Sequence, residues 1–222
     1  MTRVMICGSR DEADVELLAE AGVDAIGLIT EVRQTLPCNL SRTEARKLAA
    51  RVPPLVSAVL ILTAEQVDEV CRLVEYVCPD AVQLHGFNRP EEVALLRKKL
   101  PVRIIKTLHF QRERLVGGSD PEHWALSYLH AGADAILLDS FHEGKVGSTG
   151  QAVDFRVARR LRDAVRPRPL ILAGGLNSEN VAEAIQRVRP FAVDVFTGVT
   201  SAGRLDPQKV NRFMGAVRRA FA

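Results

Sequence analysis

The sequence predicts a single (β/α)8 barrel of the α/β class spanning residues 1–222, and three observations carry that prediction. Short β-branched runs alternate with helical patterns from one end to the other. Each run is followed by one helical segment, which implies parallel strands with right-handed crossovers, since hairpins need much shorter connections. Eight such units fill the 222 residues with no linker, charge block or composition shift between them, the size of one closed barrel with few insertions.

Taken in order, the strand run Arg3–Cys7 precedes helical spacing over Asp11–Ala21, and Ala25–Ile29 precedes Arg42–Arg51. Leu55–Leu62 is followed by Ala64–Val77, Ala81–Leu84 by Pro90–Lys99, and Val102–Thr107 by Glu122–Ala131. Ala135–Asp139 leads to Phe155–Val165, Leu170–Ala173 to Ser178–Val188, and Ala192–Phe196 to Pro207–Phe221. An internal echo fits this TIM-barrel arrangement: Ala21-Gly22-Val23-Asp24-Ala25-Ile26 recurs four units later as Ala131-Gly132-Ala133-Asp134-Ala135-Ile136. In both copies Gly ends a helix in a left-handed cap and a strand begins just beyond it, the signature of a half-barrel relic or of a convergent αβ loop.

With 47% apolar and 26% charged residues, 11 Pro and 15 Gly, disordered, collagenous and low-complexity chains are excluded. Thirty basic and 27 acidic residues leave a net charge of +3, and the basic ones are scattered, so neither nucleic acid nor a membrane surface is an expected partner. A small anionic ligand remains compatible with that balance. The longest apolar stretch, Leu55–Leu62, is far short of a membrane span, and no signal-peptide run opens the chain, so the expected compartment is the cytoplasm. The four cysteines, Cys7, Cys38, Cys71 and Cys78, form no CxxC pair and are read as free thiols. Cys71 and Cys78 lie seven apart and are expected as buried neighbours on one helix face.

In such a barrel the chemistry sits where strands end and βα loops begin. This singles out Cys7 and Gly8, Thr30, Thr63, Gln83 with His85 and Gly86, Lys106 and Thr107, Asp139, Gly174 and Gly175, and Thr197 and Gly198. The glycines of Ala173-Gly174-Gly175-Leu176-Asn177 and Thr197-Gly198 follow strands 7 and 8, where backbone amides that approach closely bind a phosphate in many barrels. A third glycine-rich loop, Gly147 to Gln151, is long and polar and suits closure over a ligand. Asp139 ends an apolar strand, where desolvation favours its protonated form and a general acid role; capping of the next loop is the structural alternative. Cys7 is a buried structural thiol or, at a strand's carboxyl end, a base.

Together, Ile6-Cys7-Gly8, Gln83-Leu84-His85-Gly86, Leu137-Leu138-Asp139, Gly147 to Gly150 followed by Asp154, Ala173-Gly174-Gly175-Leu176-Asn177 and Arg189-Pro190-Phe191-Ala192-Val193-Asp194-Val195 resemble the phosphoribosylanthranilate isomerases of tryptophan biosynthesis. The resemblance runs in the same order over nearly the whole chain. It implies a cofactor-free Amadori rearrangement of N-(5-phosphoribosyl)anthranilate to 1-(2-carboxyphenylamino)-1-deoxyribulose 5-phosphate. Matched motif by motif, Cys7 is then the general base and Asp139 the general acid. Gly150, Gly174, Gly175, Thr197 and Gly198 fall near the phosphate, Gln83 and His85 at the substrate end of strand 4, and Asp194 low in the site. No metal is implied, and the five histidines show no ligand spacing. Lys106 is expected to pair with a carboxylate in the barrel mouth rather than form a Schiff base.

The departures from the family pattern cluster on one side. Where the family carries an Arg that holds the anthranilate carboxylate, the loop after strand 2 has Cys38 and is about two residues longer, leaving Arg33 as the candidate substitute. Ser9-Arg10 replaces the usual Ile-Thr, which makes Arg10 a second candidate cation, and Met5 stands for the usual Lys. Strand 3 reads Ser57-Ala58-Val59-Leu60-Ile61-Leu62, and strand 8 ends Phe196-Thr197-Gly198-Val199-Thr200 where Ser-Ser-Gly-Val-Glu is usual. The phosphate end is kept while the aglycone end has drifted. Two other readings are therefore carried: a paralogue isomerising another N-phosphoriboside, and a non-catalytic barrel that binds a phosphorylated ligand, against which the retention of both Cys7 and Asp139 counts. The expected partner is a small phosphorylated sugar, and the sequence assigns no oligomeric state.

Overall fold

Eight parallel strands close into a barrel: β1 (Arg3–Cys7), β2 (Ala25–Ile29), β3 (Ser57–Leu62), β4 (Ala81–Leu84), β5 (Arg103–Gln111), β6 (Ala135–His142), β7 (Leu170–Leu172) and β8 (Ala192–Val195). Each pairs with its sequence neighbours, and β8 returns to β1 with Met5 opposite Asp194, which closes the ring. The computed structural model describes residues 1–32, 36–111, 113–142, 145–146 and 153–220, with residues 141, 142, 145 and 146 described in backbone path alone. Helices α1 (Glu12–Ala21), α2 (Arg42–Ala49), α3 (Val67–Val77), α4 (Pro90–Lys99), α5 (Pro121–His130), α6 (Phe155–Ala164), α7 (Val181–Val188) and α8 (Pro207–Arg219) follow the strands one by one. The predicted order holds throughout.

Local chemistry starts these helices. Asp11, Asp120, Asp154 and Asp206 each accept backbone N–H groups of the first turn of α1, α5, α6 and α8, and Ser41 forms a reciprocal box with Glu44 at α2. Asp154 thus has a capping role. Among the described residues no helix is long and apolar enough to cross a membrane.

Boundaries moved where an apolar run outlasted the regular element. Leu55 lies outside β3, fully exposed with φ 74°, so the third strand starts two residues later than its composition suggests. The strands β5 and β6 run past the barrel rim and fold back into antiparallel pairs with Arg114–Leu115 and Lys145–Val146. Cys78 is not a buried partner of Cys71: it takes the left-handed C-cap of α3 and is exposed, whereas Cys71 is buried. A helix face cannot continue through a residue that ends the helix.

Because both faces of a parallel sheet are covered, alternate residues feed two apolar layers. Met5, Val59, Ile61, Ile105, Leu137 and Ile171 fill the barrel interior. Their neighbours Ile6, Leu60, Ile104, Ile136 and Leu172 pack outward against the helices.

The repeated Gly-x-Asp motif has a physical explanation. Gly22 and Gly132 hold φ values of 80° and 105° at helix ends, and the Asp two residues on reaches sideways to the preceding strand. Asp24 Oδ2 accepts the Val4 N–H at 2.8 Å, and Asp134 Oδ2 accepts the Ile104 N–H at 2.9 Å. Asp80, before β4, does the same for Ala58 at 2.8 Å. Each carboxylate satisfies an amide at the start of a strand whose neighbour begins higher in the barrel. Asp134 also pairs with Arg97 and Arg103. Asp134→Ala is expected to cost about 1–3 kcal/mol in urea unfolding, through the orphaned amide rather than the exposed ion pairs.

Candidate active site

At the carboxyl end of the strands one cavity gathers residues from around the barrel: Cys7, Gln83, His85, Asp139, Gly174, Gly175, Asp194 and Thr197 all line it. Thr63 lines it too, so nine of the residues singled out from sequence meet in one place. Gly198 and Arg10 are not among the residues that line it. The Arg10 backbone N–H is bonded to Asp14 at the start of α1. Arg33, Gly150 and the rest of the loop from Gly147 to Gln151 lie outside the described residues.

One contact in the cavity joins β1 to β8: the Cys7 thiol donates to Asp194 Oδ1 at 2.8 Å. Both side chains are buried. Burial pushes the Cys7 thiol well above its ordinary range, and the Asp194 and Asp139 charges push it further. Burial likewise raises the Asp194 carboxyl to about 7, against the opposing effect of the thiol hydrogen bond. Two glycines fix the thiol. A Cβ on Gly27 of β2 would sit 2.5 Å from Cys7 Sγ, and Gly8, at φ 91°, lies under the Phe196 ring where a Cβ would collide.

Across the cavity, Asp139 Oδ2 meets His85 Nε2 at 3.1 Å, and Asp139 Oδ1 accepts the Ser140 N–H at 2.7 Å. The Asp139 carboxylate thus lies between a backbone amide and an imidazole, and the His85 ring lines the cavity. Behind them stands His109, which sequence reading passed over. Its Nε2 donates to the His85 carbonyl oxygen at 2.9 Å, and the two rings pack 4.9 Å apart. Burial holds the His109 imidazole neutral, with its pKa lowered to about 2, and His85 and Lys106 add to that. The only signal for it lies in sheet register, which sets His109 opposite Asp139.

Lys106 is a correction. It is buried, but its Nζ donates to the carbonyl oxygens of Gly86 at 2.7 Å, Thr107 at 2.9 Å and Leu84 at 3.3 Å, not to a carboxylate. The ammonium lies 5.3 Å from the Tyr128 ring of α5, on the outer side of the strand. Adjacent strand residues face opposite ways, so Thr107 takes the inner position, where it accepts from Gln83 Nε2 at 3.2 Å. Desolvation lowers the Lys106 pKa to about 7.

The loops after β7 and β8 form one wall. Gly174 and Gly175 adopt φ values of 78° and 65°, and a Cβ on Gly174 would press on the Ser140 backbone nitrogen at 2.6 Å. Asn180 Nδ2 donates to the Gly175 carbonyl at 2.9 Å, while Asn180 Oδ1 accepts the Asn177 N–H at 2.9 Å, which sets the loop before α7. Gly198, in a single 3₁₀ turn from Thr197 to Val199, has no room for a side chain beside the Leu176 carbonyl oxygen. Close backbone packing of this kind exposes amides to an anion.

The remaining wall is apolar, made by Ile29, Val32, Leu36, Ile61 and Phe196. Cys38 is packed in the same buried cluster, its thiol pushed up to about 11 by burial despite the opposing field of Arg10.

Comparison with known proteins agrees with this architecture. A family model described as N-(5'-phosphoribosyl)anthranilate isomerase matches residues 4–216. The chain is 40% identical over 218 residues to a protein of that name from Methanothrix thermoacetophila, covering 98% of this chain and 99% of the relative. A second relative, from Natronomonas pharaonis, is 40% identical over 217 residues, covering 97% of this chain and 98% of its own length. The solved phosphoribosyl anthranilate isomerase of Thermotoga maritima superposes with a TM-score of 0.83 at 32% identity, covering 99% of this chain and all (100%) of that one. A phosphoribosyl anthranilate isomerase solved with reduced 1-(o-carboxyphenylamino)-1-deoxyribulose 5-phosphate superposes with a TM-score of 0.80 at 31% identity, with the same coverage of 99% and 100%. The chain belongs to the N-(5'-phosphoribosyl)anthranilate isomerase family.

Proposed function

We infer that this isomerase converts N-(5-phosphoribosyl)anthranilate to 1-(2-carboxyphenylamino)-1-deoxyribulose 5-phosphate, with Cys7 as base and Asp139 as acid. The observation that carries the reading is the pairing of each group in one cavity, Cys7 on Asp194 and Asp139 on His85. The reaction needs an acid and a base acting on different atoms of the sugar, and no external oxidant, because C1 and C2 exchange oxidation level within one molecule.

In the first step Asp139 gives its proton to the furanose ring oxygen, and the C1–O bond breaks to leave a Schiff base between C1 and the amine. The Ser140 N–H and His85 then hold the Asp139 carboxylate. In the second step a Cys7 thiolate removes the C2 proton and yields an enaminol, which becomes the ketose when its hydroxyl loses a proton and C1 gains one. The thiolate forms by passing the thiol proton to Asp194 along their 2.8 Å hydrogen bond. The raised pKa of Asp194 makes it a stronger acceptor for that proton, and the raised pKa of Cys7 makes its thiolate a stronger base toward carbon. Gly174, Gly175, Thr197 and Gly198 are assigned to the phosphate. Gln83, whose Oε1 has no partner among the described residues, is assigned to a sugar hydroxyl.

Freshly generated N-(5-phosphoribosyl)anthranilate should lose its fluorescence in the presence of the protein with a turnover of about 1–1000 per second. A folded protein that leaves the compound unchanged would overturn the assignment.

A further inference from the structure

The chain leaves β4 at Leu84, and His85 and Gly86 open the loop that leads to α4. Regular pairing of β4 with β5 ends there as well, with Leu84 opposite Lys106. Backbone groups beyond the last ladder pair need other partners. His85 has one on each side: its N–H donates to the Leu62 carbonyl oxygen of β3 at 2.8 Å, and its carbonyl oxygen accepts from His109 Nε2 of β5 at 2.9 Å. The carbonyl oxygens before and after it, those of Leu84 and Gly86, accept from Lys106 Nζ. Three successive carbonyls at the exit of β4 are thus held by side chains of β5.

The two β5 side chains act from different places. Lys106 lies toward the Tyr128 ring of α5. His109 stands opposite Asp139 in the register of β5 with β6, and it touches His85 twice, through the carbonyl and through ring packing at 4.9 Å with 60° between the planes. A carbonyl oxygen only accepts, so the bond places a hydrogen on His109 Nε2. The Phe87 ring packs against the His109 ring at 5.3 Å, and the imidazole is buried and uncharged. It therefore brings no second cation beside Asp139. With its main chain tied to β3 and β5 and its ring packed on His109, His85 presents Nε2 at 3.1 Å from Asp139 Oδ2.

We propose that His109 is a positioning residue for the acid of the reaction: it holds the His85 imidazole at Asp139, so that the carboxylate formed when Asp139 gives up its proton meets a donor already in place. The inference rests on the isomerase reading above, in which Asp139 is that acid. A donor fixed beforehand favours the step because nothing has to reorganise as charge develops. Its effect falls on kcat rather than on substrate binding.

The test uses N-(5-phosphoribosyl)anthranilate and His109→Phe, which keeps a ring beside His85 and removes the N–H. Its kcat is expected to fall by about 10- to 100-fold, the scale on which a small misplacement of a catalytic group acts. KM should stay within about 2-fold of wild type. In a His85→Ala background the same substitution should change kcat by less than about 2-fold, because no imidazole is left to hold. If His109→Phe does not fold, His109→Gln is compared in the same two backgrounds: its amide keeps a donor, so a smaller fall of about 2- to 10-fold is expected with His85 present and none without it. An unchanged kcat with His85 present, or an equal fall in both backgrounds, overturns the proposal, since a purely structural role moves the urea midpoint without depending on His85. Absence of wild-type turnover overturns the isomerase reading itself, and this inference with it.

Discussion

Cys7→Ser is expected to lower kcat by about 10²–10⁴-fold while leaving the fold and KM nearly unchanged, because general-base catalysis contributes on that scale. The serine hydroxyl retains a donor for Asp194 Oδ1, so the buried carboxylate keeps its partner. What is lost is the ease of ionisation, since a hydroxyl holds its proton far more strongly than a thiol. Cys7→Ala should lose activity equally but also destabilise the protein, because it leaves the Asp194 carboxylate buried with one donor fewer. Asp139→Asn is the matching experiment on the other side of the cavity. Its amide oxygen still accepts the Ser140 N–H, yet it cannot protonate the ring oxygen, so a similar fall in kcat is expected. Steady-state rates with urea melts on the same preparations separate the two effects. Near wild-type turnover by Cys7→Ser would remove the thiolate from the mechanism.

Asp194→Asn is expected to make the protein slower and, at neutral to alkaline pH, more stable. The amide still accepts a hydrogen bond from Cys7 but cannot take up the thiol proton, so kcat should fall by about 10²-fold or more. Stability moves in the opposite direction. The Asp194 carboxyl has its pKa raised from 3.8 to about 7 by burial, so its ionised form is disfavoured in the native state. A raised pKa contributes stability that is complete below pH 4 and lost as pH rises through about 7. The variant lacks that dependence. Its melting temperature should therefore match wild type near pH 4, exceed it increasingly toward pH 7, and keep a constant advantage above. Parallel melting curves over that range would contradict burial as the origin of the shift. Such an exchange of stability for activity is common where a buried charge serves chemistry.

Much of the site was legible because a barrel converts position in the chain into position at the mouth. Cys7, Asp139, Gly174 and Gly175 could be picked out by asking which residues end apolar strands. Lys106 shows the limit of that rule. It stands beside Thr107 at the same strand end, and only the facing of β5 decides that the hydroxyl enters the barrel while the ammonium turns outward to three carbonyl oxygens. His109 was missed for a related reason. It lies beyond the expected end of the fifth strand, and its value comes from reaching the His85 carbonyl on another strand.

The order of the eight βα units and their parallel arrangement were determined by the sequence itself. Apolar period, glycine stops and capping aspartates act over a few residues and can be read in place. Which strand ends meet was decided by the tertiary structure alone. The Cys7–Asp194 contact joins residues 187 apart and the His85–Asp139 contact joins residues 54 apart. Closure of β8 onto β1, with Met5 opposite Asp194, makes the first possible, and the pairing of β5 with β4 and β6 sets the frame for the second. Register and closure depend on how all eight strands pack together, and no local pattern contains that information.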